Sequence, residues 1–364
     1  MLLISDIIRE IENFAPSAYQ ENYDNAGLIV GTSDVPCTGA LLTLDVTEEV
    51  IAEAVQNNCN LIIAHHPVIF SPIKRLNGKN YTERCIIKAI KNNISIYAAH
   101  TNADNVHYGV NKEISDRLGL TNTRILLSKN KILKKLVTFV PASHLEQVQK
   151  ALFDAGCGHI GNYDSCSFFT EGKGTFRGDE NTNPFVGEKG KLNIETEVRI
   201  ETIFEAYKEP QVVRALLSAH PYEEPAYDIY LLENHHPRVG SGMIGELPQE
   251  MDAKSFLKLV KDVFSQSLVR YTAYDKTIKK VALCGGSGSF LLDAAIRQSA
   301  DVFLSSDFKY HQFFDAEGRI MIVDIGHYEA EQFTPEIFYR VIKNKFPNFV
   351  PLLSKTNTNP IKYL

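Results

Sequence analysis

The sequence predicts an α/β fold in which two pseudo-symmetric α/β halves form one metal-binding domain, with a smaller α+β domain inserted between them. Three observations lead to this prediction. Short β-branched runs alternate with amphipathic helical stretches from residue 40, which is typical of parallel strands joined by crossover helices. Histidines and carboxylates follow corresponding predicted strands in the two halves. The residues between the halves show a different pattern, with strand-like runs and a glycine-rich stretch.

The first half, residues 1–128, alternates predicted strands and helices. In chain order these are strand Ala40–Thr43, helix Thr47–Asn57, strand Leu61–Ala64, a helix near Thr82–Asn92 and strand Ile94–Ala98. The middle strand ends in His65 and His66, and the third runs into the segment His100-Thr-Asn-Ala-Asp104. Two neighbouring strands are therefore followed by potential metal ligands.

The middle segment, residues 129–238, has the order βαββαβ of a ferredoxin-like module. Its recognisable elements are a strand at Leu133–Val140, a helix near Leu145–Ala155, a strand at Glu195–Glu201, a helix near Pro210–Ala219 and a strand at Ala226–Leu232. The stretch Thr170–Lys191 is too long and too rich in Gly, Asn and Pro for an ordinary turn. It is interpreted either as a mobile or partner-contacting loop or as a solvated hairpin extension.

The second half, residues 239–364, repeats the element order of the first. Its elements are strand Lys280–Cys284, helix Phe290–Gln298, strand Val302–Leu304, a helix near Tyr310–Ala316, strand Ile320–Asp324 and helix Glu331–Lys345. One strand leads to Ser305-Ser-Asp307 and His311, and the next leads to His327-Tyr-Glu-Ala-Glu331. The pattern His-x-x-x-carboxylate thus occurs in both halves, which indicates an internal repeat about a pseudo-twofold axis.

Five of these side chains are candidate ligands for two divalent metal ions. Ligands bind at the carboxyl ends of the strands in open α/β sheets. His65 and His66 leave their strand in opposite directions, so they are placed to serve two neighbouring ions. Asp104 adds a carboxylate, and His327 and Glu331 share a helical face at i, i+4 spacing. Mixed imidazole and carboxylate ligands favour zinc, iron, manganese or cobalt over calcium or magnesium.

Structural explanations remain open for the same residues. A buried histidine is often bonded to a backbone carbonyl, and the pair His327 and Glu331 would also suit the start of a helix. Four further side chains are candidates for proton transfer or for hydrogen bonds to the ligands: His100, His311, Asp45 and Asp307. A purely structural role is open for each of them. The run Cys284–Ser289, with three glycines, is either a phosphate-binding turn or a tight turn that needs glycine.

Composition and charge restrict the class of protein. The chain has 38 basic and 44 acidic residues and a net charge of -6, which argues against general nucleic-acid binding. No apolar run approaches the ~20 residues that a membrane span needs, and no signal peptide is recognisable at the start. The six cysteines form no CxxC pair. These features predict a cytoplasmic protein with reduced thiols.

Five segments carry a resemblance to a known family, the Nif-three-like proteins, labelled GTP cyclohydrolase 1 type 2 homologs. They are Tyr23-Asp-Asn-Ala-Gly-Leu-Ile-Val-Gly31, Ala64-His-His-Pro67, Ala99-His-Thr-Asn-Ala-Asp104, Ser306-Asp-Phe-Lys-Tyr-His311 and Gly326-His-Tyr-Glu-Ala-Glu331. The resemblance covers nearly the whole chain. The middle segment, with His220-Pro-Tyr-Glu-Glu-Pro-Ala-Tyr227, resembles the PII-like or CutA-like insertion of longer members.

The resemblance implies a two-metal site at the positions of His65, His66, Asp104, His327 and Glu331, and toroidal homohexamers whose metal sites face an internal cavity. The five ligand positions match the family, and the run Ser305-Ser306-Asp307 differs from the many members that have a glycine before the aspartate. The expected function is hydrolysis of a nucleotide or a similar small molecule, and the family label suggests ring opening of GTP with release of formate. The alternative is a non-catalytic metal-binding or regulatory assembly whose inserted module contacts a partner or effector.

Overall fold

The computed structural model describes residues 2–265 and 268–362, and the chain divides into two compact units. The first unit combines Met1–Ser128 with Arg238–Leu364, and the second is Lys129–Pro237. Both are mixed α/β structures with their own sheets. The first unit is therefore built from both ends of the chain, and the second from its middle.

The elements are numbered here in chain order. The strands are β1 (Gly27–Val30), β2 (Ala40–Thr43), β3 (Leu61–Ala64), β4 (Ser95–Ala98), β5 (Thr121–Ser128), β6 (Leu133–Pro141), β7 (Ser167–Phe176), β8 (Asn193–Glu205), β9 (Tyr227–Leu232), β10 (Gly240–Met251), β11 (Arg270–Tyr271), β12 (Ile278–Ser287), β13 (Val302–Ser306), β14 (Met321–Asp324) and β15 (Leu352–Leu353). The α-helices are α1 (Ile4–Phe14), α2 (Glu48–Gln56), α3 (Tyr81–Lys91), α4 (Thr101–Asn105), α5 (Val110–Arg117), α6 (Leu145–Asp154), α7 (Glu209–Ala219), α8 (Ala253–Phe264), α9 (Leu292–Arg297), α10 (His327–Glu331) and α11 (Thr334–Lys345).

The first sheet of the first unit has the order β1-β4-β3-β2-β15. Strands β2, β3 and β4 are parallel, and β1 adds an antiparallel edge next to β4. Every side chain of the three parallel strands is buried, as expected of a parallel sheet covered on both faces. This burial fixes the strand register, and therefore also the place where each strand ends and the following residues begin.

The second sheet of the first unit has the order β11-β14-β13-β12-β10-β5. Strands β12, β13 and β14 are parallel in the same sequential order as β2, β3 and β4, and β11 is an antiparallel edge next to β14. Strand β10 continues the sheet between β12 and β5, antiparallel to both. Both sheets thus contain three parallel strands in corresponding order beside one antiparallel edge.

The second unit has the element order β6-α6-β7-β8-α7-β9 and a four-stranded sheet of order β7-β8-β6-β9. Its neighbouring strands are antiparallel. Apolar side chains from the two helices and the sheet form one core, including Leu136, Leu152, Val198, Val212 and Leu216. One face of this sheet therefore carries the core of the unit.

The bounds of β2 and β3 are those predicted, but several other elements differ. The helix expected at Glu331–Lys345 begins three residues later, as α11, and Glu331 itself is the last residue of the short helix α10. Pro335 lies in the first turn of α11, where its fixed φ suits a helix start. The segment Tyr310–Ala316 forms a 3₁₀ helix rather than an α-helix. The helix expected from Phe290 begins as a short 3₁₀ turn, and α9 starts two residues later.

The stretch Thr170–Lys191 forms most of strand β7 and of the loop that joins β7 to β8 in a β-hairpin. Strand β7 pairs with β8 from Ser167 opposite Thr202 to Phe176 opposite Asn193, so the first residues of the stretch are in a strand. The glycines at 172 and 174 conceal this strand in the sequence, since glycine has low strand propensity. Backbone pairing with the long β8 supplies the stability that local propensity lacks.

Two further expectations concern the chain as a whole. Among the residues that the structure describes, no helix is long and apolar enough to cross a membrane. All six cysteines are free thiols, and four of them are buried. The thiols therefore play no cross-linking role in the fold.

Strand β3 offers a test of how strongly the fold depends on its parallel core. Ile62 is fully buried in β3, three residues before His65. Ile62→Ala is expected to lower the free energy of unfolding by about 2–5 kcal/mol, since it leaves a cavity, and Ile62→Val by only about 0.5–1.5 kcal/mol. Urea unfolding of both variants measures the difference. Equal losses in the two variants would contradict this account of the core.

Candidate metal centre

The ends of parallel strands in both sheets supply the side chains of one polar cluster. His65 and His66 follow β3, and their backbone N–H groups still donate to the carbonyls of Thr43 (3.2 Å) and Leu44 (3.0 Å) beside them. Asp104 lies in the short helix α4 that follows β4. In the other sheet the chain leaves β14 and enters α10, whose single turn carries His327 at one end and Glu331 at the other.

Glu331 lies at the centre of this cluster and is almost fully buried. Its Oε1 is 3.6 Å from His65 Nε2, and its Oε2 is 3.0 Å from His66 Nε2 and 3.1 Å from His327 Nε2. Asp104 Oδ1 lies 3.7 Å from His65 Nε2. The structure therefore brings together all five side chains predicted as metal ligands, although His66 and His327 are 261 positions apart in the chain.

Two groups of ligand atoms can be distinguished around Glu331. One contains His65, Asp104 and Glu331, and the other contains His66, His327 and Glu331; in each group the ligand atoms lie within 4.8 Å of one another. The two oxygens of Glu331 face different histidines, which suits a carboxylate that bridges two cations. His65 and His66 fall in different groups around Glu331, but a third group, made of His65, His66 and His100, contains both of them.

The hydrogen bond of His65 shows that this imidazole at the centre of the cluster is neutral. His65 Nδ1 lies 2.9 Å from the carbonyl oxygen of Ala99, and a carbonyl only accepts, so Nδ1 must carry the proton. Burial lowers the pKa of His65 to about 4, which keeps the ring neutral. Its Nε2 therefore directs a lone pair towards the two carboxylates.

Three buried atoms at the centre are without a hydrogen bond among the described residues: His65 Nε2, Asp104 Oδ1 and Glu331 Oε2. For Glu331 Oε2 this holds even though two imidazole nitrogens lie 3.0 and 3.1 Å away. An unsatisfied buried polar group costs about 1–3 kcal/mol, and more if it is charged. Divalent cations would satisfy these acceptors, so the residues present fit a metal site.

In three of the histidine rings, those of His66, His327 and His100, the nitrogen that faces away from the centre is hydrogen-bonded to a carboxylate. His66 Nδ1 is 2.7 Å from Asp45, and His327 Nδ1 is 2.6 Å from Asp307. Such carboxylates orient metal-binding imidazoles and increase their basicity. Asp45 and Asp307, candidates for proton transfer or hydrogen bonding, therefore lie behind the rings. Asp307 has φ 60°, a left-handed conformation that Asp tolerates.

His100 lies beside the cluster and is held in the same manner. Its ring centroid is 5.2 Å from those of His65 and His66. Its Nδ1 is 2.7 Å from Asp24, which also accepts from the Thr101 backbone N–H at 3.0 Å. Burial opposes ionisation of Asp24, but its hydrogen bonds with His100 and with the Thr101 hydroxyl lower its pKa to about 2. Sequence reasoning missed Asp24 as a site residue; the signal was its place in the segment Tyr23–Gly31.

His311 is not part of the cluster in the structure. The side chain is exposed, and its ring contacts are with Tyr310 (centroids 5.2 Å apart) and Phe314 (6.3 Å). Its closeness to Asp307 in sequence does not bring it to the centre, because the 3₁₀ helix that carries it leads the chain away to the surface.

The pKa shifts around Glu331 show an environment that stabilises positive charge. Burial lowers the pKa values of His66 and His327, but the carboxylates in contact with each ring outweigh burial and raise them to about 10 and about 11. Burial, reinforced by Glu331, raises the pKa of Asp104. Burial also opposes ionisation of Glu331, but His65 and His327 bring its pKa well below the usual range. These shifts show that the carboxylates of the cluster stabilise positive charge on the rings of His66 and His327.

The glycine-rich end of β12 packs against the central carboxylate. Gly286 has φ +60°, and a Cβ at this position would lie 2.2 Å from Glu331 Oε1 and 3.4 Å from His327 Cε1. Its carbonyl accepts hydrogen bonds from the Ser305 (3.0 Å) and Ser306 (2.6 Å) hydroxyls. Glycine is therefore required here both by backbone conformation and by space, as the tight-turn interpretation of this run predicts.

Known proteins resemble the chain over its full length. Proteins named GTP cyclohydrolase 1 type 2 homolog are 40% identical in Halalkalibacterium halodurans over 365 residues and in Bacillus subtilis over 366 residues, and each match covers 98% of both chains. The structure titled Bacillus cereus protein related to NIF3 matches with a TM-score of 0.88 at 39% identity, covering 100% of this chain and 99% of the other. A family model described as Duf34/NIF3 (NGG1p interacting factor 3) matches residues 2–360.

Replacing Gly286 tests whether the space next to Glu331 matters for metal uptake. Gly286→Ala is expected to lose at least half of the bound divalent metal, because the added Cβ displaces Glu331. Gly318→Ala is the matched control, since Gly318 also has a positive φ, +66°, but nothing lies within 4 Å of its added Cβ. Both variants carry about 1–2 kcal/mol of left-handed strain. Elemental analysis measures the metal, and equal metal content in the two variants would refute the argument.

Proposed function

The chain belongs to the Duf34/NIF3 family, and we propose that it binds two divalent metal ions and uses them to hydrolyse a nucleotide-like small molecule. The observation that carries this proposal is the centre of the cluster. There, the unprotonated Nε2 of His65 and oxygens of Asp104 and Glu331 are buried without hydrogen bonds among the described residues. A cation is the natural partner for such a set of acceptors.

The proposed ligands are His65, His66, Asp104, His327 and Glu331, with Glu331 shared by the two ions. This donor set suits zinc, iron, manganese or cobalt. When bound, two such ions supply positive charge that polarises the substrate and activates water as a nucleophile near neutral pH. Two carboxylates offset half of the charge of two divalent ions, so the site would keep an affinity for a further anionic group.

The chain's own residues would orient the ligands and move protons. Asp45 and Asp307 hold the Nδ1–H groups of His66 and His327 and leave Nε2 of each ring directed at the centre. Asp24 holds His100 in the same way, so Nε2 of His100 is free to exchange a proton with a substrate beside the ligands. We therefore propose His100 as the proton-transfer residue.

We further propose that the two sheets of the first unit are the halves of an internal repeat and that the second unit is a ferredoxin-like, PII-like or CutA-like insertion. The corresponding order of β2-β3-β4 and β12-β13-β14, each with an antiparallel edge strand, supports the repeat. The order βαββαβ and the sheet order β7-β8-β6-β9 support the second proposal.

A second candidate function is a non-catalytic metal-binding or regulatory assembly, and one observation favours it. The second unit contains a cavity of about 570 Å³ beside the β7–β8 hairpin. Aromatic rings of Phe139, Phe176, Phe185 and Tyr222 line it, and the Tyr222 hydroxyl donates to Glu197 at 2.9 Å. A pocket with aromatic walls and a few fixed polar groups is typical of a small-molecule site, here for an effector.

The proposed location is the cytoplasm. Four of the six cysteines are buried as free thiols, and none of the six is in a disulfide. Unpaired cysteines are usual where the surroundings are reducing. This observation supports the location, which the sequence predicts from the same cysteines.

The metal centre is tested by metal content and turnover together. Purified protein is expected to bind about two divalent ions per chain and, when loaded, to release formate or phosphate from a panel of nucleotides that includes GTP. His327→Ala should lose at least one ion and all turnover. His159→Ala, which removes an exposed histidine of the second unit, should leave both unchanged. Tight binding of two ions without turnover on a broad panel would support the regulatory function instead.

The quaternary structure follows from the resemblance to this family, and we propose a toroidal homohexamer. Its mass in solution is expected to be six times that of the 40.8-kDa chain. Light scattering after size-exclusion chromatography measures this mass. A monomeric or dimeric mass at micromolar concentration would rule out the hexamer.

A further inference from the structure

The C-terminal segment, defined here as Ser354–Asn359, runs in an extended conformation from the first sheet of the first unit to the metal centre. It leaves β15, which pairs with β2, and the Ser354 N–H donates to the Leu42 carbonyl at 2.9 Å. Ser354, Thr356 and Thr358 are half-buried, whereas Lys355 and Asn357 are exposed. Alternating side chains of an extended chain share one face, so the three hydroxyl residues face the protein.

The first contact of the C-terminal segment is with Glu53 of helix α2. This carboxylate accepts hydrogen bonds from the hydroxyls of Ser354 (2.6 Å) and Thr356 (2.7 Å). It also accepts from the backbone N–H groups of Lys355 (2.7 Å) and Thr356 (3.2 Å). One carboxylate thus contacts three consecutive residues, and three of its four hydrogen bonds to the segment remain when the Thr356 hydroxyl is removed.

The second contact reaches a residue that orients a proposed ligand. The Thr358 hydroxyl donates to Asp45 Oδ2 at 2.6 Å, and the other oxygen, Oδ1, accepts from His66 Nδ1 at 2.7 Å. Both oxygens of Asp45 are therefore engaged, and its carboxylate plane cannot turn without breaking one of the two bonds. Without the Thr358 hydroxyl, the Asp45 side chain, which is 34% exposed, would be able to rotate towards water.

The third contact reaches the opposite side of the centre. The Asn359 side-chain amide donates to Glu329 Oε1 at 2.9 Å. Glu329 lies in α10 between His327 and Glu331. Consecutive residues of the segment thus hold Asp45, which follows β2, and α10, which follows β14, so that the segment spans the ligands from the two sheets.

We propose that Thr358 is a positioning residue of the metal centre: its hydroxyl fixes Asp45, and Asp45 in turn fixes the ring of His66. This inference rests on the proposed metal site and deepens it. Outer hydrogen-bond partners of metal-binding histidines typically change metal affinity by about 10- to 100-fold when they are removed. Thr358 acts one step further from the ion than Asp45, so the lower end of this range is expected.

The test uses the full chain loaded with Co²⁺, whose visible absorption spectrum reports ligand geometry. Thr358→Val, which keeps the shape but removes the hydroxyl, is expected to weaken Co²⁺ binding about 10-fold at one of two sites and to alter the spectrum. Thr358→Ser should restore both. The matched control is Thr356→Val, which loses a hydroxyl bond to Glu53 in the same segment, and it should bind Co²⁺ as the unmodified protein does.

A double-mutant cycle shows whether Thr358 acts through Asp45. In an Asp45→Asn background, Thr358→Val should cause little further loss of Co²⁺ affinity, because the acceptor it serves is already altered. An unchanged affinity and spectrum in Thr358→Val alone would overturn the inference, as would an equal loss in Thr356→Val. Failure of the unmodified protein to take up Co²⁺ would instead overturn the proposed metal site itself, and the inference with it.

Discussion

The candidate metal centre depends on a single buried carboxylate that faces three imidazoles. Glu331 has no room to turn, because Gly286 packs against one of its oxygens and histidines approach the other. The three imidazole rings around Glu331 are also held in place, since the outer nitrogen of each ring is hydrogen-bonded to a backbone carbonyl or to an aspartate. The acceptor atoms are thus held in fixed positions around one small space. Tight metal sites in proteins are usually built from side chains that their neighbours hold in place in this way.

The positions of these side chains follow from where the parallel strands end. Complete burial of β2, β3 and β4 fixes their register, so His65 and His66 emerge at a defined place. The second sheet does the same for α10 through β13 and β14. Each sheet supplies part of the cluster: His65, His66 and Asp104 follow strands of the first sheet, and His327 and Glu331 follow β14 of the second. The buried core of each sheet therefore positions part of the candidate metal centre.

Sequence alone located the two parallel series and the five central side chains, because strand ends and His-x-x-x-carboxylate spacing are local patterns. Asp24 and the hydroxyl of Thr358 escaped notice, since their partners lie 76 and 313 positions away and no periodicity links them. His311 illustrates the converse, because closeness in sequence to Asp307 implied closeness in space, and the intervening 3₁₀ helix removed it. Strand β7 was hidden by its glycines, as pairing with β8 is a tertiary effect.

The division of the first unit into two chain segments has a consequence for biosynthesis. A ribosome makes His65, His66 and Asp104 early, then the whole second unit, and His327 and Glu331 only near the end of translation. Nascent chains therefore carry three of the five proposed ligands early but lack Glu331, which two of the possible metal-holding groups share, until they are nearly complete. The two groups that contain Glu331 can form only after almost the whole chain has been made.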